Sequence, residues 1–166
     1  QYALGEKTTD VPNLAGDLQL KGNILLEAGK YDEAKQAFER ALKMTLDSNL
    51  SQEIKDNTKL FQHYNLTRVA LGKKDLAAAK TEGQEFRKGA EASKNPAQLK
   101  QARELAGLIA LEEKNYDQAI AQLQQANLQN PQNLYRLAQA YQGKGDGQKA
   151  KEFSAKAAAF YSLPQL

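Results

Sequence analysis

With 166 residues, 41% of them hydrophobic and 26% charged, the chain is long enough for one domain with a continuous core, and its helix-forming composition with only 7% aromatics points to an all-α protein. A net charge of +3, from 23 basic and 20 acidic residues, is too small to argue by itself for a nucleic-acid or membrane partner. The absence of cysteine and the single histidine exclude disulfides, thiol nucleophiles and Cys/His zinc clusters.

Residues 1–14, with Gly5, Thr8, Thr9, Asp10 and Pro12, lack periodicity and are expected to form an irregular lead-in. A first helical hairpin is expected over about residues 15–48. Leu18, Gly22 and Leu25 recur at helical spacing, Gly29 breaks the helix, Asp32 and Glu33 suit the next N-terminus, and Ala34, Phe38 and Ala41 continue as a stripe. A second hairpin, about 51–94, starts from Ser51 as N-cap and turns at Gly72-Lys73-Lys74-Asp75; Leu76, Ala79, Gly83, Phe86 and Ala90 then form a narrow seam.

The third, about 96–130, opens at Asn95-Pro96, a cap followed by a first-turn proline, and contains the uninterrupted apolar run Leu105 to Leu111, which suits a helix buried on several sides. The fourth, about 131–162, opens the same way at Asn130-Pro131, carries Leu134, Leu137, Ala138 and Tyr141, turns at Gly145-Asp146-Gly147 and ends before Pro164, leaving 163–166 as a tail. Eight helices in one helical-repeat domain, residues 15–162, are the result.

Spacing ties the hairpins together. Gly22 to Ala34, Asn65 to Ala77, Gly107 to Ala119 and Ala138 to Ala150 are each 12 residues apart, whereas successive alanines lie 43, 42 and 31 apart. A fixed interval within the hairpin and an elastic one between hairpins implies one packing contact repeated four times.

These residues resemble the tetratricopeptide repeat, a 34-residue unit that pairs a small residue in its first helix with Ala, Phe and Ala in its second. Repeat one fits through Leu18, Gly22, Gly29, Tyr31, Ala34, Phe38 and Ala41, and repeat three through Gly107, Tyr116, Ala119, Ala126 and Pro131. Repeat two departs from the motif, with Asn65 in place of the small residue and Thr81 and Gln84 in place of the later Phe and Ala; in repeat four Ser154 replaces the Phe. The resemblance implies an all-α, right-handed superhelical stack of antiparallel hairpins, an α-solenoid, and a non-enzymatic scaffold or adaptor that binds a peptide or partner protein on its concave face.

By the same resemblance, that face is lined by first-helix residues one turn apart: Gln19, Asn23, Gln62, Leu66, Glu104, Leu108, Tyr135 and Gln139, with Leu26, Glu27, Val69, Leu111 and Gln142 beside them. Of the positions that clamp a carboxylate in some family members, only Asn23 agrees. A self-association or assembly module is the alternative reading, through the stripe Ala150, Phe153, Ala157 and Phe160 with Ala158 and Tyr161 beyond it.

Residues that would carry other chemistry are sparse. His63 beside Tyr64 has no cysteine or second histidine to work with and is expected to be a packing or groove residue. Glu112 and Glu113 point about 100° apart on a helix and are expected to be a solvated helix end, which argues against a paired-carboxylate enzyme. Gly143-Lys144-Gly145-Asp146-Gly147 lacks the Gly-Lys-Ser/Thr ending of a phosphate loop and is expected to be a hairpin turn.

Arg68, Lys73, Lys74, Lys80, Arg87, Lys88 and Lys94 cluster in repeat two, but interleaved Glu82, Glu85 and Glu91 cancel much of the field a nucleic acid would feel. No cofactor is expected. No apolar run approaches the roughly 18 residues of a membrane span, and the start at Gln1 without methionine is expected to mark a processed or trimmed piece, so the compartment is not legible.

Overall fold

A computed structural model describes residues 10–160; the lead-in over residues 1–9, Tyr161 and the tail with Pro164 lie outside the described residues. Among the described residues eight helices follow one another: α1 (Val11–Glu27), α2 (Tyr31–Leu46), α3 (Gln52–Gly72), α4 (Leu76–Ser93), α5 (Pro96–Glu112), α6 (Tyr116–Leu123), α7 (Pro131–Lys144) and α8 (Gly147–Ala159). They pair as hairpins α1/α2, α3/α4, α5/α6 and α7/α8, and each later first helix packs on both helices of the hairpin before it. The chain is an all-α solenoid.

Helix starts follow local sequence. Ser51, Asp75, Asn95, Asn115, Asn130 and Asp146 each accept a hydrogen bond from a first-turn amide, and prolines occupy the first turns of α1, α5 and α7, where no amide partner is missed. The same logic corrects the lead-in: Asp10 caps α1 by accepting from Asn13 N at 3.3 Å, so residues 11–14 are helical.

Within each hairpin the turn is one motif used four times. Gly29, Lys74, Lys114 and Gly145 all take positive φ, at 74°, 61°, 58° and 89°. The next residue donates its amide five residues back in every case: Lys30 to Leu25, Asp75 to Ala70, Asn115 to Ala110 and Asp146 to Tyr141, each at 2.9 Å. This is the left-handed helix stop that leads straight into a new N-cap.

Those turns overturn one alignment. The left-handed residue stands seven after Gly22, Gly107 and Ala138; seven before Lys74 is Thr67, not Asn65. Burial agrees, because Ala77 is exposed while Thr67 and Ala79 are 0% exposed. The interval from Thr67 to Ala79 is again 12, so the spacing rule holds and the register of repeat two moves by two residues.

The physical reason is an exchange of volumes. Gly22 faces the Phe38 ring and Gly107 faces Leu123, sixteen residues on; in repeat two the large and small partners swap, and Gly83 faces Thr67. Thr81 and Gln84, which the Asn65-to-Ala77 register sets at the motif's later Phe and Ala positions, are exposed, and the seam Ala79, Gly83, Phe86 and Ala90 is buried as its three- and four-residue steps require. At Gly107 the side chain that fills the gap is Leu123, one turn beyond Ala119.

This geometry predicts opposite effects for two glycines. A methyl at Gly107 would lie 2.5 Å from Leu123 Cγ, so Gly107→Ala is expected to cost about 1–3 kcal/mol. A methyl at Gly16, in the exposed interior of α1, meets nothing within 4 Å, so Gly16→Ala should gain about 0.5–1 kcal/mol. Urea midpoints moving in the same direction for both would show that hairpin three does not close on Gly107.

Between hairpins a second contact recurs. The Tyr31 ring seats on Gly72 and the Tyr116 ring on Gly143, each so closely that a β-carbon would stand 2.2 Å away. The following aspartates, Asp32 and Asp117, pair with Lys73 and Lys144. Junctions one-to-two and three-to-four are therefore built alike. The middle junction uses an aromatic cluster instead, in which Phe86, 0% exposed, meets Tyr64 at 5.5 Å and Phe61 edge-on at 6.3 Å, with Leu105 and Ala102 closing it. Glu112 and Glu113, expected to be a solvated helix end, reach across this junction to Lys74 and Lys80.

Candidate binding groove

The C-terminal parts of α1, α3 and α5, the length of α7 from Tyr135 to Gly143, the starts of α2 and α6 and the first half of α8 enclose an open groove of about 1000 Å³ that takes lining residues from all four hairpins. Its apolar wall is Leu26, Leu71, Leu108 and Leu111 with Tyr31, Tyr116 and Tyr135; its polar rim includes Glu27, Arg68, Lys74, Glu112, Arg136, Gln139, Gln142 and Lys151. A volume at the top of the range for small-molecule pockets, spread along an open trough, suits a chain segment better than a compact ligand.

Three of the eight residues expected to bind a partner lie in this groove: Leu108, Tyr135 and Gln139. Tyr135 is 56% exposed and Gln139 is exposed. The others are engaged elsewhere. Asn65 donates to Gln19 at 2.9 Å and Arg68 donates to Asn23 at 2.7 Å, which ties α1 to α3. Gln62 is buried, its amide oxygen without a hydrogen-bond partner, and Leu66 is half-buried outside the groove lining. Val69 and Leu26 belong to the core of the first junction, although Leu26 also touches the groove.

Glu104 is the centre of the polar ladder. Buried at 6% exposure, it accepts from Tyr64 Oη at 3.1 Å, Asn133 Nδ2 at 3.1 Å and Arg136 Nη1 at 3.0 Å, joining α3, α5 and α7. Arg136 pairs its charge with the carboxylate and also donates to Asn133 at 3.1 Å, so Glu104 is charge-paired with both oxygens hydrogen-bonded. Its partners are a phenol, an amide and a guanidinium rather than a second carboxylate. His63 likewise has its ring nitrogen 2.6 Å from Glu82 across hairpin two.

Burial, reinforced by the neighbouring Glu104 carboxylate, pushes the Tyr64 phenol well above its ordinary value of 10. The folded state therefore holds this proton more tightly than the unfolded chain, so the contribution is complete below about pH 10 and lost as pH rises above it. Tyr64→Phe should weaken the protein at pH 7 yet narrow its deficit above pH 10, by up to about 1.4 kcal/mol per pH unit. Denaturant melts at pH 8 and pH 11 measure the difference, and a deficit that stays constant would place Tyr64 in solvent.

Arg68, Tyr31, Tyr116, Arg136 and Lys151 were missed as groove residues. The signal for the two tyrosines was present, since Tyr-Asp opens the second helix of both hairpins one and three. Arg136 stands next to Tyr135 but turns to Glu104, a partner 32 residues away that no local pattern names.

Sequence comparison accounts for the recurring hairpin. Models described as tetratricopeptide repeat match residues 15–47 and, in two consecutive copies, 101–133 and 131–160, together more than half of the chain. The chain belongs to the tetratricopeptide-repeat family. Hairpin two of this tetratricopeptide-repeat protein lies outside those matches, at the place where Thr67 and Gly83 exchange the usual small and large residues. No curated protein matches the chain. Among solved structures, the crystal structure of BtubC (BKLC) from P. vanneervenii superposes with a TM-score of 0.58 at 19% identity, covering 99% of this chain and 71% of that one, a likeness of fold alone. No described helix is long and apolar enough to cross a membrane.

Proposed function

We propose that the protein is a non-enzymatic scaffold or adaptor that holds a peptide segment or partner protein in the groove. The observation that carries this reading is one continuous trough through four hairpins, whose exposed Tyr135 and Gln139 stand beside Leu108, Leu111 and Tyr116. Apolar anchors with a polar rim are what a side-chain-bearing segment requires. The absence of a convergent acid/base pair around Glu104 supports binding over catalysis. Nucleic acid is disfavoured because Arg68, Lys73, Lys74, Lys80, Arg87 and Lys88 are each paired with a carboxylate.

Tyr135→Ala with Gln139→Ala should weaken a peptide selected from a display library at least about tenfold by calorimetry, with the helical circular-dichroism signal unchanged. The outer-face change Lys35→Ala should not. Loss of affinity only with the outer-face change would sink the groove assignment.

A second reading, self-association through α8, is favoured by an apolar notch of about 530 Å³ between Leu128, Leu134, Phe153 and Phe160. The rest of α8 argues for a narrow contact, since its exposed face carries Lys149, Lys151 and Glu152, and Lys156 borders the notch itself. Light scattering that stays at monomer mass as concentration rises would remove it.

A further inference from the structure

Every charge that lines the groove has an opposite partner but one. Arg68 lies 3.4 Å from Glu27, Lys74 2.7 Å from Glu112 and Arg136 3.0 Å from Glu104. Among the described residues Lys151 meets no carboxylate, although it is exposed on the groove side of α8. Its own helix offers none. The residues three and four away are Gly147, Gln148, Ser154 and Ala155, and the adjacent Glu152 turns to Lys156 at 2.6 Å.

The same stretch of wall holds further uncommitted polar side chains. Gln139 and Gln142 stand one turn apart on α7, and Ser154 stands one turn beyond Lys151 on α8; all three are exposed and without a hydrogen-bond partner among the described residues. The floor here is small, because Ala138 and Ala150, which precede Gln139 and Lys151, line the groove as buried methyl groups. A lone ammonium beside two amides and a hydroxyl makes this stretch rich in donors and positively charged.

We infer that it is a carboxylate subsite and that the groove's occupant is an acidic segment: an Asp or Glu side chain taken by Lys151, with Gln139, Gln142 and Ser154 donating to it, and an apolar residue a few positions away against Leu108 and Tyr116. One uncommitted cation matches one carboxylate. A phosphate, with nearly two charges, would find no second cation available, since Arg68, Lys74 and Arg136 are paired. A chain end fits less well than a side chain, because Asn23, the one carboxylate-clamp position that agrees, is held by Arg68. The subsite presupposes the groove as the place of binding and adds to it which segment the groove selects.

The probe is a library of random twelve-residue peptides displayed at the N-terminus of a phage coat protein, so that no peptide carries a free C-terminus or a phosphate. Binders selected on the whole chain should share an Asp or Glu at a fixed distance from an apolar residue. With one binder made as an amidated synthetic peptide, Lys151→Glu in the protein, or the amide in place of the peptide's acidic side chain, should each weaken binding about tenfold by calorimetry. A lysine at that peptide position should regain most of the loss in the Lys151→Glu protein. Lys149→Glu, the same change of charge on the same helix but outside the groove lining, should leave affinity within about twofold. Circular dichroism verifies that both lysine variants fold. Binders that lose affinity with Tyr135→Ala yet share no acidic residue and ignore Lys151→Glu overturn the subsite and leave the groove standing; binders indifferent to Tyr135→Ala as well remove both. Equal losses with Lys149→Glu and Lys151→Glu would show a diffuse field in place of a subsite and overturn it too.

Discussion

Replacing Phe86 by alanine should cost the protein about 3–5 kcal/mol, a large part of the stability of a domain this size. The ring is 0% exposed and touches the Tyr64 and Phe61 rings, so its loss removes buried area and aromatic contacts together. It also sits where hairpin two meets hairpin three, so the cavity opens at the middle of the stack, between Ala102 and Leu105 of α5 and Leu60 and Tyr64 of α3. The paired control is Gln84→Ala, which the Asn65-to-Ala77 register would place in the core and which the exposed side chain keeps within about 0.5 kcal/mol of the parent. Similar urea midpoints for the two variants would restore that register and remove Thr67 from the hairpin contact.

Glu104→Leu is the second large effect, expected at about 3 kcal/mol. It strands Arg136, whose side chain is only 18% exposed, and leaves Tyr64 and Asn133 without their shared acceptor. Because the three donors come from α3 and α7, the damage should spread across two junctions rather than stay in hairpin three. The double variant Glu104→Leu with Arg136→Met removes both charges and should recover a good part of the loss, since an apolar pair of similar volume replaces a buried ion pair at little cost. Urea melts of the single and double variants decide it. A double variant as unstable as the sum of its two singles would mean that Glu104 and Arg136 do not act on each other.

The groove shows how far local pattern reaches. Tyr135, Gln139 and Leu108 were legible as groove residues because α7 and α5 present them one turn apart on a face the resemblance singles out. Gln19, Asn23 and Glu104 share that spacing, yet their partners Asn65, Arg68 and Arg136 stand 46, 45 and 32 residues away and draw them into the ladder between helices. A carboxylate on the correct face is free or spent according to whether a neighbouring helix brings it a cation, and spacing within one helix carries no record of that.

What the amino-acid sequence determined by itself is what acts over a few residues: eight helices, their caps at Ser51, Asn95 and Asn130, the helix breaks at Gly29 and Gly145, and the 12-residue interval inside each hairpin. Each of these is settled by backbone hydrogen bonds and rotamer limits within a turn or two of the chain. Tertiary structure alone decided the register of hairpin two, where Thr67 with Gly83 does the work that Gly22 with Phe38 does in hairpin one. Packing fixes the combined volume of two facing side chains sixteen residues apart and leaves open which of them is the large one, so the motif can be inverted without changing the fold.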